Sequence, residues 1–453
     1  MANTRMHGRG KKALGLWMNG RFVGTWSIEA GGDVLQYDAE WVNDPVLRRP
    51  LSLSLPFTPG NRPHKGDAVR FYFQNLLPDN EYILERIARR YRVRSIDAYS
   101  LLSEIGRDCV GALQILPAGD MPPEEQGVHR EALDEAEMAR LIRATIDPGL
   151  FGDSARDDEK FRISIAGAQE KTAFLRWQGQ WCRPLGATPT THIFKLPLGL
   201  IGNMQFDMRH SVENEWLCSE LLAAYGLPVA RCEVLQFEDQ KVLSVERFDR
   251  RVWNDSELLR LPQEDMCQAM GMPPILKYES DGGPGVDRIM ALLDGSMNRD
   301  QDRLQFFTAQ LLFWMLCATD GHAKNFSIFL RPEGRFELTP LYDVLSAYPI
   351  LGAGPGKLSP HKARMAMAAR SKNAHWHMNK IVRRHWVAVG ERYGIVSRQG
   401  MPVDAVIDEI VEMTPTVVQR VRGKLPEGFP QEVAEAIFNG LLEAARRLGR
   451  SRD

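Results

Sequence analysis

Several features are scarce in this chain of 453 residues, and each scarcity excludes something. The six cysteines, Cys109, Cys182, Cys218, Cys232, Cys267 and Cys317, are scattered. None forms a C-x-x-C pair or stands at metal-ligand spacing with a histidine, so no structural zinc site is expected. Most lie in apolar surroundings, where a free thiol behaves as a small hydrophobe. That usage fits a reducing compartment and predicts a cytoplasmic protein. Long hydrophobic runs are missing too. The most apolar window, Phe306 to Ala318, is broken by Gln310 and is too short to span a bilayer, so no membrane contact is expected. The opening residues lack a signal peptide's order of basic, apolar and small groups. Net charge is almost absent: 57 Lys and Arg face 58 Asp and Glu, for a formal charge of -1. A polycation built to coat nucleic acid is thereby excluded. Glu85 to Arg94 and the C-terminal part lean basic, which reads first as solvated helix surface. Internal repeats and low-complexity tracts are also lacking.

The length allows two or three units with large cores. LGLWM and RFVGTW flank Asn19-Gly20, a strong hairpin signal, because a type I′ turn needs two residues that tolerate positive φ. LSLSL, residues 51 to 55, alternates like a half-buried strand that stops at Pro56. Helical patterns cover residues 66 to 76, 80 to 91 and 95 to 104. Residues 1–118 therefore read as an α+β module, and the polar, proline-rich stretch 119–128 as a linker. An amphipathic helix over 131–145 and a loop over 147–160 come next. Strands dominate from 161 to 250: FRISI, KTAFLRW, WCRPL and HIFKLP, then a hairpin around Glu238-Asp239. One helix, 210 to 225, turns Val212, Trp216, Leu217 and Leu221 to a core. From 264 onward the pattern is mostly helical. The division is thus 1–118, 119–250 (a β-rich lobe) and 251–453 (a helical lobe). A cleft between two lobes is a natural place to bury a cofactor-sized ligand.

The segment ATDGHAKNFS holds Asp320 and Asn325 at the D-x-x-x-x-N spacing of a kinase catalytic loop. Asp320 can accept the proton of an attacking hydroxyl. Asn325 offers a neutral oxygen to a magnesium ion that bridges phosphates. A second ligand, Asp343 in LTPLYDVLSA, follows a hairpin formed by SIFL and FELTP. SIAGAQEK, residues 164 to 171, puts small residues between two strands, where backbone N–H groups can approach an anion. Lys195 lies inside the apolar strand IFKLP, and a buried lysine needs a partner. Glu215 on the following helix is the best-placed acid, since Glu213 faces about 200° away. SVERFDRR closes the strand-rich region where the chain would cross between lobes. Backbone groups of Glu246 and Phe248 are then available to an adenine edge. YESDGGPG reads as a turn-rich loop of the helical lobe, either a substrate loop or only a connection.

Together these stretches resemble the HipA family, kinase toxins of bacterial toxin–antitoxin pairs. The resemblance is carried by RPLSLSLP, NLLPD, LLSEIGRD, FRISIAGAQEKTA, TPTTHIFKLP, VERFDRR, RLPQEDMCQ, KYESDGGPG, ATDGHAKNFS and LTPLYDVLSA, in order from about residue 49 to past 345. It thins after Arg364. It implies a divergent two-lobed, protein-kinase-like α+β fold with an extra N-terminal module. It implies Asp320 as catalytic base, with Asn325 and Asp343 holding magnesium. ATP would be surrounded by Ala166, Gly167, Ala168, Gln169, Glu170, Lys171, Lys195, Glu246, Arg247, Phe248, His322, Ala323, Lys324, Asn325, Tyr342 and Asp343. Ser164 would be a self-silencing autophosphorylation site, because a phosphate there repels those of ATP. Further implications are a target such as glutamyl-tRNA synthetase, growth arrest and persistence, and a HipB-like helix-turn-helix antitoxin through which operator DNA is mainly bound. The common kinase triplets H-R-D and D-F-G and the G-x-G-x-x-G loop are absent, as in the HipA pattern, so specificity cannot be carried over from common kinases. A kinase acting on a lipid or small molecule would need the same base and metal ligands. A co-repressor with little kinase activity would need none of them.

Overall fold

The structure, a computed structural model, describes residues 13–122, 127–146, 169–202, 204–254 and 256–450. Strands β1 (Ala13–Met18) and β2 (Arg21–Glu29) form the expected hairpin, with Asn19 and Gly20 both at positive φ. Strands β3 (Gly32–Tyr37), β4 (His64–Lys65) and β5 (Leu113–Pro117) complete a five-stranded sheet in the order β4-β3-β2-β1-β5. Helix α1 (Ala39–Asn43) follows β3. The three helical patterns become α2 (Asp67–Gln74), α3 (Glu81–Arg90) and α4 (Ala98–Ile105). Asn80 and Asp97 cap α3 and α4 by accepting first-turn amides. Trp26 stacks on Phe73 at 3.7 Å in the core between this sheet and its helices.

LSLSL is not a strand. Its polar groups find side-chain and loop partners in place of a ladder. The Leu53 amide donates to Glu264 Oε1 at 2.8 Å, and the Ser52 and Ser54 hydroxyls donate to the Gln268 carbonyl at 3.1 and 2.7 Å. Leu51 and Leu55 are buried in the module's own core, half-buried Leu53 packs on the helical lobe, and Ser52 is fully buried, so burial does not follow the alternation.

A second sheet of six strands combines β6 (Arg130–Ala132), β7 (Lys171–Trp177), β8 (Gln180–Pro184), β9 (His192–Lys195), β12 (Cys232–Phe237) and β13 (Gln240–Glu246) in the order β12-β13-β9-β7-β8-β6. The small pair β10 (Gly199–Ile201) and β11 (Phe206–Met208) leads into helix α6 (Ser211–Ala224). Helix α5 (Glu135–Ile146) lays Met138, Ala139 and Ile142 on Phe174, Phe194 and Val242 of the sheet. FRISI and the 147–160 loop lie outside the described residues. Although α6 belongs to the strand-rich stretch, its Val212, Leu217 and Leu221 join the core of the helical lobe.

The remainder holds α7 (Met266–Ala269), α8 (Val286–Leu293), α9 (Arg299–Met315), α10 (Arg383–Arg392), α11 (Val403–Arg422) and α12 (Gln431–Arg450). Strands interrupt it. The hairpin β14 (Arg250–Trp253) and β15 (Glu257–Arg260) precedes a sheet of β16 (Gln263–Asp265), β17 (Ser327–Leu330) and β18 (Phe336–Leu338). The β17–β18 pair is the expected SIFL/FELTP hairpin. The pair β19 (Arg364–Arg370) and β20 (Ala374–His377) was not anticipated, because RMAMAAR has little β propensity. Tertiary contacts hold it: buried Glu279 accepts the Ala368 amide at 2.7 Å and pairs with Arg370. The two-lobed α+β layout expected from the sequence is thus present. All six cysteines are free, and five are buried. Among the described residues no helix is long and apolar enough to cross a membrane.

Candidate active site

Helix α9 ends at a turn through Cys317, whose φ is +51°, and delivers Ala318 to Asp320 at the cleft. Gly321 must be glycine there, since a Cβ would come within 2.5 Å of the Phe313 ring. The His322 amide donates to the Asp320 carbonyl at 2.8 Å, and the Asn325 amide to the His322 carbonyl at 2.9 Å. This tight turn places Asp320 in solvent while His322, Ala323, Lys324 and Asn325 are buried. The Tyr278 hydroxyl donates to Asp320 Oδ1 at 2.5 Å. Burial and the Asp320 charge raise the Tyr278 pKa far above its usual value, so the hydroxyl remains a donor.

Asp343 sits at φ +61°, a left-handed conformation that is strained for a residue with a side chain. Its neighbours fix it. Leu341 exchanges backbone hydrogen bonds with Pro228 and Ala230, and the Tyr342 hydroxyl donates to the Lys324 carbonyl at 2.8 Å. Asn325 Nδ2 donates to the Asp343 carbonyl at 2.9 Å. That bond orients the amide and leaves Asn325 Oδ1 as a buried acceptor without a partner among the described residues.

Lys195 Nζ donates to Glu215 Oε1 at 2.6 Å and to Asp343 Oδ1 at 2.8 Å. Glu213 is turned away and pairs with Lys241 at 2.6 Å. Lys171 lies opposite Lys195 in the β7–β9 register, so both side chains share a sheet face. Burial pushes the Lys171 pKa down to about 8, against the pull of Asp343. For Asp343, burial alone would raise the pKa, but Lys195 and Lys171 hold the carboxyl well below the carboxylate range. Burial pushes Glu215 up to about 7, opposed by Lys195. The site therefore sets two lysines against an ionised Asp343 and against Glu215, whose carboxyl burial raises and Lys195 lowers.

Phe248 and Tyr342 face each other with ring centroids 5.7 Å apart, beside Phe329. They form an aromatic wall next to the lobe crossing. The Glu246 amide is already bonded to the Arg231 carbonyl at 2.8 Å. Arg247 points elsewhere: its guanidinium is buried among Asp108, Asp249 and the Cys109 carbonyl. Gln169 Nε2 donates to the Leu196 carbonyl at 2.5 Å, and Glu170 pairs with Arg86 of α3. Lys324 turns its ammonium to Asp79. Ser164, Ala166, Gly167 and Ala168 lie outside the described residues. Sequence reasoning missed Tyr278, Lys277, Asp79 and Asp108. Tyr278 was read only as part of a turn-rich loop. Asp79 and Asp108 stood out only within the resembling stretches NLLPD and LLSEIGRD.

Among the described residues no three His, Cys, Asp or Glu side chains form a metal cluster. One carboxylate and one amide oxygen nevertheless suit magnesium, which keeps waters and takes phosphate oxygens as its other ligands. The unpartnered Asn325 Oδ1 beside Asp343 fits that donor set.

Comparison with known proteins agrees over most of the chain. Residues 163–418 match the HipA-like C-terminal domain, and residues 14–116 match the HipA N-terminal domain. A putative kinase, Y4mE, of Sinorhizobium fredii is 35% identical over 75% of this chain and 79% of its own length. The serine/threonine-protein kinase toxin HipA of Shewanella oneidensis is 30% identical over 72% of both chains. A solved structure of the Shewanella oneidensis HipA, HipB and operator DNA complex superposes with a TM-score of 0.76 at 24% identity, covering 96% of this chain and 97% of that one. That likeness shows the fold.

Proposed function

The chain belongs to the HipA family, and on that premise we propose that it is an ATP- and magnesium-dependent serine/threonine protein kinase acting as the toxin of a toxin–antitoxin pair. The observation that carries the reading is the convergence on Asp343: Lys195 binds its carboxylate, and Asn325 binds its carbonyl while keeping a free buried oxygen. A binding module needs no such set.

In this reading magnesium, when bound, supplies positive charge between the phosphates. Asn325 Oδ1 and the Asp343 carboxylate would hold it. Lys195, kept charged by Glu215 and Asp343, orients the phosphates together with Lys171. Phe248 and Tyr342 pack against the base. Asp320, aligned by Tyr278, accepts the proton of a substrate Ser or Thr hydroxyl as that oxygen attacks the terminal phosphate in line. Ser164 would be phosphorylated by the chain itself, and the added charge would empty the ATP site. The partner would be a HipB-like antitoxin that carries most of the operator-DNA affinity. The target would be a translation factor such as glutamyl-tRNA synthetase, and the setting the cytoplasm.

The test is intact mass after incubation with ATP and magnesium, alongside Asp320→Ala and Ser164→Ala. A phosphate-sized gain in wild type, lost in both variants, is expected. A gain that persists in Asp320→Ala would remove the base from its role. No gain in a folded, initially unphosphorylated sample would favour the co-repressor reading.

A further inference from the structure

Where the N-terminal module meets the catalytic segments, one carboxylate serves two lysines, and the Asn75 carbonyl also accepts from Lys324 Nζ at 3.4 Å. Asp79 ends NLLPD, just ahead of α3. Its Oδ1 accepts from Lys324 Nζ at 2.7 Å, and its Oδ2 accepts from Lys277 Nζ at 3.0 Å. The Asp79, Lys324 and Lys277 side chains are only 11%, 4% and 14% exposed. Lys324 directly precedes Asn325, and its carbonyl accepts the hydroxyl of Tyr342, the neighbour of Asp343. Lys277 directly precedes Tyr278, the donor to Asp320, and its carbonyl accepts the Ala323 amide at 3.2 Å. One acid thus ties together the segment bearing the base and the Asn325 ligand and the segment bearing the hydroxyl that aligns the base. The same module reaches the opposite bank of the cleft through Arg86 and Glu170. Burial alone would raise the Asp79 pKa, but Lys324 and Lys277 hold it below the usual carboxylate value. Without that charge, two nearby ammonium groups would lose the carboxylate they share and repel each other.

From this geometry we infer that Asp79 is a positioning residue for phosphoryl transfer, which makes the N-terminal module a working part of the catalytic site. The inference rests on the kinase reading. Asp79 acts through Lys324 and Lys277, by holding Asp320 and Asn325 where in-line transfer needs them. Small misplacements of reacting groups are costly to turnover and need not weaken nucleotide binding.

The full chain, with ATP and magnesium, is assayed for ADP formation across ATP concentrations. Asp79→Asn is expected to lower kcat about 30-fold, with KM for ATP within about threefold. Asn80→Ala removes the α3 cap to the Tyr82 amide, loosening the same segment without touching either lysine. It should keep kcat within about twofold of wild type. If Asp79→Asn does not fold, Asp79→Glu keeps the charge on a longer arm and should show the same selective loss of kcat. A folded Asp79 variant with wild-type kcat overturns the inference, as does an equal loss in Asn80→Ala. Absent turnover in wild type, or turnover that survives Asp320→Ala, overturns the kinase reading itself and the positioning role with it.

Discussion

Two of the charged junctions between the N-terminal module and the rest of the chain are built differently. Near the lobe crossing, Asp108 accepts from Arg247, Arg250 and Arg260 as well as from Thr190, at 2.7 to 3.3 Å. Asp249 accepts from Arg247 and Arg250 and from the Gly111 amide. Every one of these charged side chains is at most 8% exposed. Near the loop of Asp320 and Asn325 there is one carboxylate and two lysines. Arginine forks are planar and permanently charged, and here several of them bond the same acceptors, so the first junction is redundant and fixes orientation. Lysines are point charges on flexible stems, and at the second junction both depend on one carboxylate, with the Asn75 carbonyl as a second acceptor for Lys324. The first is suited to holding the module on the body, and the second to setting the loop.

The contrast can be broken in order of expected effect. Asp320→Ala should cost about 10³-fold or more in phosphoryl transfer with an unchanged melting temperature, as loss of a general base would. A folded variant with normal turnover would remove the chemistry from this loop. Asp108→Ala leaves three buried arginines short of an acceptor and should lower unfolding free energy by about 3–5 kcal/mol, read from denaturant midpoints. Because the loop keeps Asp79, turnover per folded molecule should change little. A large turnover loss with normal stability would invert the comparison. Asp343→Asn should weaken magnesium-dependent ATP binding about tenfold or more, by titration with and without the metal. Equal affinity in wild type and variant would exclude the carboxylate as a ligand.

The smallest effect is one of pH. Burial depresses the Lys171 pKa to about 8 in the free protein, so its positive charge is present below that pH and lost as pH rises through it. If the charged form helps hold phosphates, ATP affinity should fall about tenfold between pH 7 and pH 9. Lys171→Met should flatten the curve. A parallel fall in the variant would assign the titration to another group.

Several site residues were legible because their signals are local. Asp320 and Asn325 share one short loop, and Asp343 follows one hairpin later. A lysine inside an apolar strand announced a buried partner, and helical periodicity separated Glu215, which meets Lys195, from Glu213, which meets Lys241. Arg247 shows the limit. In the run 246–248 the side chains diverge, with Glu246 in solvent, Arg247 in the buried ion cluster and Phe248 beside Tyr342. LSLSL shows another: Ser52 is as buried as Leu51 and Leu55, and the segment's hydrogen-bond partners came from residues more than two hundred positions away.

By itself the sequence determined the β-rich and helical halves, the loop that carries Asp320 and Asn325, and the Lys195–Glu215 pairing. Periodicity and short spacing are written within one element, where backbone geometry makes them readable. Only the tertiary structure decided that Tyr278 aligns Asp320, that Asp79 binds Lys324 across 245 positions and that Asp108 meets Arg247 across 139. Those contacts pair charges and polar groups that folding removes from water together, and no local pattern in the chain records which distant partner each will meet.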